Sequence, residues 1–123
     1  MLQSYFKMKT DIEGKFLRIF IGESDNYQGE PLYEVIVRKA KEQGLSGATV
    51  LRGVEGFGAN SVIHTARLLD LSGDMPIVVE LVDMEEKIQL LLPIINQLIE
   101  ETNCGAFFTL EKTHIIKYSP SKK

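Results

Sequence analysis

Apolar and polar positions along this chain follow two rhythms. Phe16-Leu17-Arg18-Ile19-Phe20-Ile21 is apolar except at Arg18, which predicts a strand covered on most of both faces. Gly22 closes it, and 23–29 reads as a polar turn. From Pro31 the period changes: Leu32, Val35, Ile36 and Ala40 fall on one helical stripe. Pro31 suits the first helical position, Lys39 and Lys41 the carboxyl end, and Gly44 a left-handed stop. Residues 47–54 predict a second strand with a bulge at Gly53, and 76–83 a third. In the third, Ile77, Val79 and Leu81 point one way, and Val78, Glu80 and Val82 the other. Asp83 and Glu86 have the spacing of a capping box for a second helix. Its buried stripe is Ile88, Leu91, Leu92, Ile95, Leu98 and Ile99. Pro93 predicts a kink in it, and Asn103 with Gly105 its end. Residues 106–110 and 114–118 read as two further short strands.

This order is the split βαβ arrangement, an α/β (α+β) fold of the ferredoxin-like βαββαβ kind. It has an antiparallel sheet, two helices on one face and an extra terminal strand. The domain runs from 15 to 118, after an N-terminal extension, 1–14, part of which is a candidate for a further strand. A flexible tail follows at 119–123. The first and third strands carry apolar residues on both faces. One helical layer covers only one of those faces, so the other predicts a homo-oligomer.

Composition narrows the function. The chain has 123 residues, 44% hydrophobic and 25% charged, which suits one globular domain with a core of its own. A net charge of -3 argues against a nucleic-acid binder. Cys104 is the single cysteine, so neither an internal disulfide nor a four-thiolate metal site exists within one chain. No apolar run is long enough to insert in a membrane, and Lys7, Lys9 and Asp11 interrupt any signal-like segment. The expected location is cytoplasmic.

Candidate chemistry concentrates between Arg52 and Asp74. Gly53, Gly56 and Gly58 cluster around Phe57. Such spacing permits close backbone approach to an anion, and equally fits a bulged hairpin end. It matches neither a P-loop nor a dinucleotide-binding fingerprint. In the same long connection, His64 can titrate near neutrality and Arg67 can fork onto phosphate or carboxylate. The alternative there is a solvated loop with a short helix over 62–69. His64 and His114 lack metal-ligand spacing, and Cys104, Ser61 and Ser72 lack a catalytic partner. Glu80 is either a buried acid or the partner of a cation across a subunit contact.

The segments 29–33 (GEPLY), 47–53 (GATVLRG), 56–58 (GFG), 64–67 (HTAR) and 76–83 (PIVVELVD) together resemble the PII-like proteins grouped as domain of unknown function 190. The resemblance spans roughly residues 15–118. It implies a ferredoxin-like trimer and a regulatory protein, not an enzyme. Small effectors such as adenine nucleotides would bind in clefts between subunits. The Gly56-Phe57-Gly58 turn would line one side, and Lys117 would lie near the basic positions of the neighbour. The 59–74 loop would touch a regulated partner such as a membrane transporter. The turn 103–106 reads Asn-Cys-Gly-Ala and lacks the phosphate-binding lysine of PII proteins. A less charged adenine nucleotide, another anion, or no nucleotide therefore remains. The ligand-binding candidates are Arg52, Gly56, Phe57, Gly58, His64, Arg67 and Lys117. Two other readings stand beside this one. The first is a small enzyme using His64 and Arg67 on an anionic substrate, and the second a metal-responsive structural oligomer.

Overall fold

A computed structural model describes residues 11–57, 64–65 and 74–122. The main sheet has four strands: β1 (Ile12–Gly22), β4 (Ala48–Arg52), β7 (Pro76–Asp83) and β8 (Phe107–Ile115), in the order β4-β7-β1-β8. Every pairing is antiparallel, with Arg18 opposite Glu80 in β7 and opposite Thr109 in β8. Helices α1 (Leu32–Glu42) and α2 (Glu85–Thr102) cover one face. Their stripes Leu32, Val35, Ile36 and Ala40, and Ile88, Leu91, Ile95, Leu98 and Ile99, are buried, as expected from their spacing. They meet Leu17, Ile19, Ile77, Val79 and Leu81 in one core. This is the ferredoxin-like arrangement.

Four details differ from the sequence reading. The two short strands at 106–110 and 114–118 are one strand, β8, because nothing between them breaks the chain and β1 is long enough to pair throughout. No separate terminal strand is therefore present among the described residues. That pairing also draws Ile12, Glu13 and Gly14 into the sheet, within the segment assigned to the N-terminal extension. β4 ends at Arg52 rather than at residue 54, because the Gly53 N–H turns to the Pro76 carbonyl at 2.7 Å. Asp83 does not cap α2. Met84 occupies that position in extended conformation, with no side-chain cap. The Asp83 carboxylate is drawn instead to backbone donors, accepting the N–H of Met84 and that of Ser46, each at 2.7 Å.

The polar turn after β1 holds a hairpin of its own. β2 (Asn26–Tyr27) pairs with β3 (Glu30–Pro31), with Gln28 at φ 50° and Gly29 at φ 84°, as a tight primed turn requires. Two contacts pin it to the helices. The Tyr27 hydroxyl donates to Glu101 at 2.8 Å, which holds its pKa above the ordinary value. Arg38 forks onto Glu30 at 2.9 and 3.0 Å. The guanidinium's hydrogen bonds, then its charge, hold the Glu30 carboxyl below the usual carboxylate range. A carboxylate with a depressed folded pKa stabilises the protein above its unfolded pKa, and that contribution is lost as pH falls through the folded value. Thermal unfolding of Glu30→Gln is therefore expected to show a lower midpoint than the native chain near neutrality. The two midpoints should converge once the pH lies below the folded pKa of Glu30.

The face of the sheet opposite the helices carries Phe16, Phe20, Leu51, Val78, Val82 and Phe107. Leu51 and Phe107 are half exposed at 48% and 55%. Phe20 and Phe107 meet edge to face, with centroids 5.8 Å apart. A charged triad sits in the middle. Arg18 donates to Glu80 at 3.3 Å and to Glu111, with its guanidinium 4.0 Å from the Phe16 ring centroid. The hydrogen bond to Glu111, seconded by Glu80, raises the pKa of Arg18. Glu80 thus has a cation within its own chain.

Candidate functional site

The residues that sequence reasoning singled out occupy two ends of the sheet. At one end, the turn after β4 is held by the segment that follows β1. Arg52 donates from Nε to Glu23 at 2.8 Å, and the Glu23 N–H donates to the Met75 carbonyl at 2.8 Å. The Ser24 N–H donates to Asp74 at 3.1 Å. Both ends of the long connection are thereby fastened to one turn. A Cβ on Gly53 would come within 2.8 Å of Cγ in the stiff Pro76 ring, so glycine is needed here for close approach. Gly53→Ala is expected to cost ~1–3 kcal/mol by overpacking, read as a lower midpoint in urea. Beyond it, β5 (Glu55–Gly56) pairs with β6 (His64–Thr65), which sets the backbone of His64 opposite Gly56. Phe57 stands 65% exposed. Gly58, Arg67 and nearly all of the 59–74 loop lie outside the described residues.

Lys117 lies at the other end. It lines a cleft of about 560 Å³ where β1 and β4 begin and β7 ends. Gly47, Ala48 and Thr49 form one wall, Phe16 and Val82 supply apolar surface, and Glu80 and Lys87 supply charge. The small residues of 46–49 leave the space open. Asp83 is only 4% exposed, and its bond to the Ser46 N–H fixes where that wall starts. Lys87 donates to the Gly44 carbonyl at 2.6 Å, fastening the same connection to the first turn of α2. Sequence reasoning missed Lys87 and the placing role of Asp83. The small run Ser46-Gly47-Ala48-Thr49 was the available signal.

Within one chain the structure does not bring Lys117 to Arg52, Gly56 and Phe57. β4 lies between the two groups and spans roughly 13 Å or more at ~3.3 Å per residue. Among the described residues, no group of three or more His, Cys, Asp or Glu side chains is arranged to hold a metal. No helix among them is long and apolar enough to cross a membrane.

A family described as uncharacterized ACR, DUF190, matches residues 14–115. A UPF0166 protein of Aquifex aeolicus is 42% identical over 78 residues, 63% of this chain and 74% of that one. Another UPF0166 protein, from Methanocaldococcus jannaschii, is 37% identical over 89 residues, 72% of this chain and 82% of its own. Among solved structures, CPII, a nitrogen regulatory PII-like protein from Thiomonas intermedia K12, superposes with a TM-score of 0.66. That match covers 87% of this chain and 92% of the other, at 16% identity, so it speaks for the fold. CPII is seen there with ADP, AMP and bicarbonate.

Proposed function

The chain belongs to the DUF190 family, and from that premise we propose that it is a PII-like regulatory protein that binds an adenine nucleotide between copies of itself. The observation that carries this reading is the division of the site. The cleft with Lys117 and the glycine turn with Arg52, Gly56 and Phe57 stand at opposite ends of one sheet. They can share a ligand when the cleft of one copy meets the turn of the next. The apolar sheet face, centred on the Arg18 triad, is the surface on which copies would pack, as a homotrimer. Gly58, His64 and Arg67 belong to the proposed ligand side, and the 59–74 loop to a regulated partner such as a transporter. The presence of ADP and AMP in a fold neighbour supports an adenine nucleotide as effector.

Light scattering and calorimetric titration test this together. A mass of three chains is expected, with saturable binding of ADP or AMP at one site per chain. A single-chain mass, or no heat with AMP, ADP and ATP at millimolar concentration, would remove the reading.

A further inference from the structure

Two ammonium groups and two carboxylates line the cleft, and both carboxylates are engaged. Glu80 pairs with Arg18 at 3.3 Å, and each oxygen of Asp83 accepts a backbone N–H at 2.7 Å. The two lysines differ from them. Lys117 follows β8 and is exposed. Lys87 is half-buried and bonds the Gly44 carbonyl at 2.6 Å. A carbonyl brings no charge to balance the ammonium and occupies one of its three hydrogens.

We infer that Lys87 is an anion-binding residue of this cleft, and that it contacts the phosphoryl oxygens of a bound nucleotide. This rests on reading the cleft as a nucleotide site. An ammonium offers a positive charge and up to three donors to a phosphomonoester, which carries roughly −1.5 to −2 charge at neutral pH. Lys87 reaches the ligand by turning from Gly44, while Asp83 keeps Ser46, and with it the wall at 47–49, in place.

The test titrates AMP, ATP and adenosine into the native chain, Lys87→Gln and Lys87→Arg. The native chain is expected to bind AMP more tightly than adenosine. Lys87→Gln should weaken AMP about tenfold or more, as loss of a charge-assisted hydrogen bond does, and leave adenosine unchanged. Lys87→Arg should recover most of the AMP affinity. Native AMP affinity in Lys87→Gln, or an equal loss for adenosine, overturns the assignment and leaves the nucleotide reading standing. If the native chain binds none of the three, the nucleotide reading has failed. Inorganic phosphate, titrated against the lysine ε-methylene signals, then decides on Lys87 alone. A shift at Lys87 supports an anion contact, and no shift overturns it.

Discussion

Leu51→Glu and Phe107→Glu are each expected to yield folded single chains. Both side chains are half exposed on the sheet face away from the helices, at 48% and 55%, so a carboxylate there costs the isolated fold little. Against a second copy the same carboxylate would be buried without a cation, at a cost of several kcal/mol. About 3 kcal/mol already weakens association more than a hundredfold. The face also carries an excess of negative charge before any substitution, because Arg18 serves both Glu80 and Glu111. A new glutamate adds to that excess. Sedimentation velocity, with far-ultraviolet circular dichroism as the check on folding, reads the outcome. Unchanged mass in both variants would show that this face is not the contact.

Asp83→Ala carries the second large effect. The carboxylate is 4% exposed and is the acceptor for two backbone N–H groups, at Ser46 and Met84. Truncation takes that partner from both donors, and because Ser46 and Met84 are themselves exposed, water replaces part of what is lost. A hydrogen bond to a charged group contributes ~1.5–3 kcal/mol, so with water recovering part of two such bonds a loss of about 2–3 kcal/mol is expected in urea unfolding. The loss should be local as well as global. With Ser46 released, the amides at 46–49 are expected to exchange faster than the rest of β4, and ligand affinity should fall. Ile95→Val, in the core and away from the cleft, lowers stability by ~0.5–1.5 kcal/mol. It should leave exchange at 46–49 unaltered.

Much of the fold could be read from periodicity. The stripe of α1 and the alternation of β7 are strong because each element buries one continuous face. β8 was harder. Glu111 and Lys112 interrupt its apolar pattern, and only pairing with an equally long β1 shows that the strand runs through them. Asp83 illustrates another limit. Its spacing to Glu86 fits a cap, yet its acceptors are taken by a donor from a distant segment, Ser46, and by its own neighbour Met84. The candidate site was half legible. Glycines at 53 and 56 announce a special backbone, and Gly53 does lie against Pro76. The cleft at the other end gives no such local sign, because it is assembled from the starts and ends of strands that are far apart in sequence. Lys87 looks like an ordinary first-turn helix residue until the fold sets it beside Gly44 and the cleft.

The site shared between copies is tested most directly by titrating ADP into Leu51→Glu once that variant is shown to be a folded single chain. Leu51 neither lines the cleft nor belongs to the glycine turn, so its replacement alters binding only through assembly. Binding at one site per chain in the native protein, and its loss in the single-chain variant, is the expected result. Undiminished ADP affinity in the single chain would contradict a site built from two copies.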